Sequence, residues 1–320
     1  MRLLSFLLVG SILAQPPQAP PAPVWQAGME SDPRYQRQYV FLSPDLSEII
    51  LRFEPLPADS VTGPAAGIVV LRAKIKNAIA PAISVQVSAQ PAAGGYVYRY
   101  TVANRVSARD PIQRWAIVAR EGVDRPAIRF GRWRGPSLSF GPPIVRQVLL
   151  PGEAPGRFIS WYIDAAAGGG PIMPGASESD FIVVSTHKPG FTTAYLKTDP
   201  TVEWPRTDLL WSDEVTRQLD PVLRWEWLGH HLLTLGPSFG SAEKPEAIAK
   251  HLQLAMEQLI LWKSVSRKSA FVLDAQRVVT ALIKDGAVKG SMQHPPATDR
   301  EREIADVLRY SLNVALRLDR

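Results

Sequence analysis

The hydrophobic pattern of this chain changes period once, and that change bounds the folds open to it. From about Gln38 to Lys197, short runs rich in Val, Ile, Tyr and Phe are separated by Pro, Gly, Asn and Asp. That spacing is expected of an all-β sandwich or barrel. Over the last eighty or so residues, apolar positions instead recur every three to four residues, the mark of amphipathic helices.

Within the first region the pattern predicts strands near Tyr39–Leu42, Glu48–Phe53, Ile68–Lys76, Ile83–Ser88, Tyr96–Ala103, Ile112–Ala119, Arg157–Ile163, Asp180–Thr186 and Thr192–Leu196. In GGYVYRYTVAN, residues Tyr96, Tyr98, Tyr100 and Val102 share one face while Arg99 and Thr101 share the other. Only one side of that strand faces a core. Asn104 ends it, and RVSARDP returns the chain to IQRWAIV, as in an antiparallel pair of a sandwich.

In the helical region Pro245 suits a first-turn position. Ile248, Leu252, Ala255, Leu259 and Trp262 then form one apolar stripe. A second helix carries Phe271, Ala275, Val278 and Leu282, with Gly286 as its C-terminal cap. A third starts at Thr298, where Glu301 completes a capping box, and runs through Ile304, Leu308, Leu312 and Ala315. Three such helices predict a small bundle. The expected fold is therefore mainly β plus α: an immunoglobulin-like antiparallel β-sandwich over residues 38–200, a Trp-rich linker over 201–240, and a three-helix domain over 241–320. The linker carries Trp204, Trp211, Trp225 and Trp227. Packing over a sheet edge is favoured for them over a carbohydrate platform.

The N-terminus assigns a compartment. Arg2, the apolar run Leu3–Leu13 and the small Ala14 read as a signal peptide over residues 1–14. The run is shorter than the roughly twenty residues a membrane helix needs, and no later stretch approaches that length. With no Cys after the apolar run, a lipoprotein anchor is excluded. Residues 15–37 begin with QPPQAPPAP, a proline-rich, semi-rigid spacer. The expected localisation is exported: periplasmic, cell-surface or extracellular. The chain has no cysteine, which removes disulfides, thiolate catalysis and Cys-ligated metals. A core drawn from 46% hydrophobic residues and nine Trp must do the work instead.

Candidate chemistry is sparse. Gly236-Pro237-Ser238-Phe239-Gly240 matches the G-x-S-x-G nucleophile elbow, with Asp274 or Asp285 and then His294 downstream in hydrolase order. Everything after Ser238 reads as helical, however, whereas an elbow needs further parallel strands; a linker turn is favoured. His230 and His231, near Glu226, have ligand chemistry for zinc, but adjacent residues of a strand point to opposite faces. Gly168-Gly169-Gly170 lacks the G-K-[ST] of a phosphate loop. Asp164 and Glu178 are a candidate carboxylate pair for a glycan hydrolase. No catalytic, cofactor-binding or metal residue is assigned, and no cofactor is expected.

The best signal of binding is electrostatic. Net charge is +6, and nine arginines (99, 105, 109, 114, 120, 125, 129, 132 and 134) face only Asp110, Glu121 and Asp124 between positions 99 and 134. Arg125, Arg129, Arg132 and Arg134, interleaved with Phe130 and Trp133, form a possible anion-binding patch, since arginine makes bidentate contacts with phosphate and carboxylate. Outside the cell such a patch meets an anionic envelope component or an acidic protein rather than nucleic acid. The structural alternative is that strand arginines deter edge pairing.

Three features together resemble a group of uncharacterised exported bacterial proteins: a Y-x-Y-x-V-x-N strand (Tyr98, Tyr100, Val102, Asn104), a P-G-x-S-x-x-F turn and strand (Pro174, Gly175, Ser177, Phe181), and a P-G turn (Pro189, Gly190), followed by a helical tail. From LQLAMEQLI to RVVTALIKDGAVKG the tail also distantly resembles FIMAH-like helical modules. The resemblance implies architecture and compartment, and no activity. The expectation is an exported, non-enzymatic binding or structural module of the bacterial envelope. Its rivals are a secreted hydrolase of glycans or esters and attachment to anionic surfaces through the arginine patch.

Overall fold

A computed structural model of the chain describes residues 35, 39–43, 45, 47–56, 67–76, 78–90, 95–120, 133–140, 150, 153–198, 201–205, 210–223, 230–240, 243–285 and 292–316. Their fold is mixed β and α, with antiparallel sheets dominant and four α-helices. The strands are β1 (Tyr39–Leu42), β2 (Glu48–Phe53), β3 (Val69–Lys76), β4 (Pro81–Gln90), β5 (Gly95–Asn104), β6 (Arg114–Arg120), β7 (Trp133–Phe140), β8 (Glu153–Ile163), β9 (Ser177–Ser185), β10 (Lys188–Lys197), β11 (Thr201–Glu203) and β12 (His231–Phe239). The helices are α1 (Asp213–Leu223), α2 (Pro245–Leu261), α3 (Ala270–Asp285) and α4 (Asp299–Leu316).

Alternation decides which faces are covered. In β3, Leu71, Ala73 and Ile75 are buried while Val70, Arg72, Lys74 and Lys76 are exposed, so its four-stranded sheet, ordered β1-β2-β3-β11, turns one face inward there. The five-stranded sheet β12-β10-β6-β8-β7 is central and covered on both sides. Along β6, Ala116 and Val118 join the core formed with the four-stranded sheet and the helices, whereas Trp115 and Ile117 join a second core. The three-stranded sheet β4-β5-β9 closes that second core with Tyr98, Tyr100, Val102, Phe181 and Val183. Strands such as β10 and β12 therefore read as nearly continuous buried runs.

Aromatic rings fill the space between these two sheets. Trp115 and Trp161 stack at 4.3 Å with 13° between planes. Tyr100 and Phe181 approach the Trp115 ring edge-on at 5.3 and 5.1 Å. Asn104, fully buried, closes one end of the same core. Its Nδ2 donates to Asp110 O at 2.8 Å and Ile172 O at 3.2 Å, and its Oδ1 accepts from Ala80 N–H at 3.1 Å. Gly175 holds φ at +81°, in the left-handed region that glycine tolerates, and its N–H reaches Asn104 O at 2.7 Å. The strand-end asparagine and the turn at Pro174-Gly175 are thus two halves of one junction.

The helices share a core with the sheets. Ile248, Leu252, Ala255 and Leu259 of α2 lie in one cluster with Phe191, Leu233, Leu235 and Phe239 of β10 and β12, and α4 packs on the same two strands. The capping box forms as the sequence predicts: Glu301 N–H donates to Thr298 Oγ1 at 3.1 Å, and Thr298 N–H to Glu301 Oε2 at 3.2 Å.

Residues 201–240, expected to be a linker, contain β11, α1 and β12. Trp204 and Trp211 pack 5.5 Å apart against the first core, while Trp225 and Trp227 lie outside the described residues, as do the signal segment and all of the spacer but Tyr35. The expected turn at Gly236–Gly240 is also corrected, because β12 continues through Phe239. Gly236 makes this possible: a Cβ there would sit 2.3 Å from Thr192 Cγ2 and 3.2 Å from the Tyr100 hydroxyl. The glycine serves close strand packing rather than a turn.

Candidate functional site

Side chains with chemical potential are mostly engaged in holding elements together. Ser238 is fully buried, and its hydroxyl donates to Phe191 O at 2.6 Å. His251 of α2 donates through Nε2 to the same carbonyl at 3.0 Å, its ring edge-on to Phe239 at 5.0 Å. Serine and histidine thus tie α2 and β12 to β10 through one backbone oxygen. A hydroxyl enclosed in this way has no approach for a substrate carbonyl and no base withdrawing its proton.

A second histidine does meet a carboxylate. His294 Nδ1 donates to Asp274 Oδ2 at 2.8 Å. The same oxygen accepts the backbone N–H groups of Gln293 and His294 at 2.8 and 2.7 Å, and Arg277 reaches Oδ1 at 3.0 Å. His294 and its neighbours hold the Asp274 carboxyl well below the usual range. The arrangement pins the segment entering α4 onto α3. Ser238 lies at a different junction, so the ordered Ser, Asp and His of the sequence are not assembled into a triad. Asp164 accepts the Ala166 N–H at 3.1 Å and starts a short 3₁₀ turn. Among the described residues, no group of three or more His, Asp or Glu is placed to hold a metal ion.

Arg125, Arg129 and Arg132 lie outside the described residues, as does the side chain of Arg134. Trp133 is described, and it is buried: only 6% exposed, with its ring edge-on to Phe181 at 5.5 Å. This tryptophan anchors the inter-sheet core rather than offering a face to solvent.

A concavity among the described residues was not visible in the sequence, because three distant segments build it. A cavity of about 110 Å³ lies between Ile83 and Val85 of β4, Leu233 and Leu235 of β12, and Ile304 and Val307 of α4. Arg300 stands at its rim, donating to Leu233 O and Glu303 Oε2, both at 2.8 Å. Asp306, also in the lining, pairs with Arg309 at 3.0 Å, so the charged groups at this rim are already paired within the fold, and Ser84 and Thr234 interrupt an otherwise apolar wall.

His230 immediately precedes β12 and His231 is its first residue. His231 sets its ring edge-on to Trp262 at 4.1 Å, with Nδ1 shut away from solvent. Desolvation, with Arg300 assisting, pushes His230 down to about 4; desolvation, with His230 assisting, pushes His231 down to about 3. Both are neutral in the folded chain, whereas the unfolded chain takes up protons below about pH 6.5. Stability is therefore expected to fall as pH drops from about 6.5 toward 4. Asp45, whose bonds from Lys263, Ser47 and Ser43 outweigh the opposing effect of burial, adds a further loss at lower pH. Urea midpoints at a series of pH values measure this. Replacing both histidines by glutamine is expected to flatten the upper part of the slope, and an unchanged slope would show that other groups set it.

Comparison with known proteins finds no match: no protein-family model, no curated protein and no solved structure is similar to the chain.

Proposed function

We propose that the chain is an exported, non-catalytic binding or structural module of the bacterial envelope. In this reading it is an immunoglobulin-like β-sandwich with a three-helix bundle set against it. The observation that carries the reading is the fate of Ser238: its hydroxyl and the imidazole of His251 are both spent on Phe191 O inside the core. The only sequence motif for acyl transfer thereby acts as a structural junction. The aromatic layer between antiparallel sheets supports the sandwich, and the packing of α2 on α3 and α4 supports the bundle.

Export is supported by Arg2, the Leu3–Leu13 run and Ala14. The partner is a protein or an anionic envelope component, for which the arginine excess between 99 and 134 speaks. No helix among the described residues is long and apolar enough to cross a membrane.

Expression of the full chain in a bacterial host tests both halves of the reading. The recovered protein is expected outside the cytoplasm with its N-terminus near Gln15, and a fluorophosphonate probe is expected to leave Ser238 unlabelled. An unprocessed cytoplasmic chain would overturn export. Labelling abolished by Ser238→Ala would restore the hydrolase.

A further inference from the structure

Among the described residues each sheet ends in two edge strands whose outer backbone groups invite pairing, and five of these six edges carry a device against it. At β1, Gln218 of α1 accepts the Val40 N–H at 3.2 Å. The β11 edge is three residues long. Gly135 and Pro136 interrupt β7, whose register shifts between Arg134 and Ser137. On β12, Arg300 occupies Leu233 O and Pro237 lacks a donor. In β9, Glu178 and Asp180 bring charge, and Asp180 departs from extended geometry at φ +68°.

The sixth edge, β4, has none of these beyond Val85; Ile83 to Val85 face β12 and α4 across the cavity. It runs ten residues in unbroken register with β5, from Pro81↔Asn104 to Gln90↔Gly95, and pairs with no other strand among the described residues. PAISVQVSAQ holds no charged side chain, and its one proline is the first residue. Ser84, Gln86 and Ser88 are exposed, while Val85 and Val87 are only half-buried where the two cores meet. The 110 Å³ cavity lies beside this strand, with Ile83 and Val85 in its wall.

A strand added here needs apolar residues at alternate positions, to extend the core and reach the cavity, and uncharged residues between them. The strand β4 itself has that pattern: Ile83, Val85, Val87 and Ala89 alternate with Ser84, Gln86, Ser88 and Gln90. We propose that two copies of the chain pair antiparallel through β4, joining their three-stranded sheets into one continuous sheet. A twofold contact of this kind is self-complementary. It sets no like charges opposite one another, a conflict that would destabilise cross-strand pairs. The pairing does not depend on the envelope reading.

Sedimentation of the mature chain over a wide concentration range tests the pairing, with the dimer mass expected. Gln86→Lys combined with Ser88→Lys sits on the exposed face of β4, where folding tolerates charge. It is expected to give a monomer with an unchanged circular dichroism spectrum. The Gln86→Glu, Ser88→Glu variant is expected to behave alike, and mixing the two variants is expected to restore a dimer. A wild-type chain that stays monomeric throughout would overturn the proposal, as would a dimer that both variants retain. Binding of a foreign extended peptide at β4 by a monomeric wild type would assign the edge to a different partner.

Discussion

Replacing Trp115 by alanine is expected to lower the unfolding free energy by about 3–5 kcal/mol, a large share of the roughly 5–15 kcal/mol that holds an ordinary domain together. The residue is fully buried in the middle strand of the five-stranded sheet, stacked on Trp161 and met edge-on by Tyr100 and Phe181. Alanine leaves a void bounded by rigid rings, which cannot collapse into it as aliphatic side chains can. Phenylalanine is expected to cost much less, about 1–2 kcal/mol. The indole N–H of Trp115 has no hydrogen-bond partner among the described residues, so its removal breaks no bond. Urea unfolding followed by circular dichroism measures both changes, with Trp204→Ala, at a half-buried site, as the milder control. Equal midpoints for Trp115→Ala and the unaltered chain would mean that the aromatic layer does not hold the sheets together.

Local patterning made much of this architecture legible. The ranges expected for β1 and β2 agree with those observed, as short apolar runs buried almost throughout, and β3 and β5 differ by a residue or so at their ends, where mostly one-sided burial gives a period of two. All three C-terminal helices were legible from their stripes and from the Thr298–Glu301 box. What escaped detection has physical causes. Residues Trp133–Phe140 contain Gly135 and Pro136, which read as a turn, yet an edge strand with a register shift accommodates both. Along α1, Val215, Leu219 and Val222 are spaced as a helix requires, but flanking Trp and Pro and an internal Pro221 mask the signal. The continuation of β12 through Gly-Pro-Ser-Phe is set by its pairing with β10, from Tyr195↔His231 to Lys188↔Phe239. Such tertiary context overrides local turn propensity. The candidate site was the least legible of all. Ser238 looks chemical in one dimension and is structural in three, while the β4 crevice takes its walls from residues more than two hundred positions apart.

Asn104→Ala is expected to destabilise the chain by about 3 kcal/mol, because it strands Ala80 N–H and the Asp110 carbonyl and takes one of two donors from Ile172 O, which keeps the Ile112 N–H at 3.0 Å, and a buried polar group left unpaired costs about 1–3 kcal/mol. These three groups come from three separate loops, so the loss falls on the junction that closes one end of the inter-sheet core. Asn104→Asp separates the hydrogen bonds from the shape. It keeps an acceptor for Ala80 but turns a carboxylate oxygen toward two carbonyls that formerly received protons. At neutral pH the aspartate is expected to be at least as damaging as alanine. Burial and the facing carbonyls raise the folded-state pKa of the new carboxyl above its unfolded value. Its protonated form can again donate to one carbonyl, so the stability gap between Asn104→Asp and the parent chain is expected to narrow as pH falls and widen as it rises. Comparing the two proteins at each pH cancels the acid sensitivity contributed by His230 and His231. A gap that stayed constant from pH 8 to pH 4 would place the origin of Asn104's contribution in packing rather than in its donated hydrogen bonds.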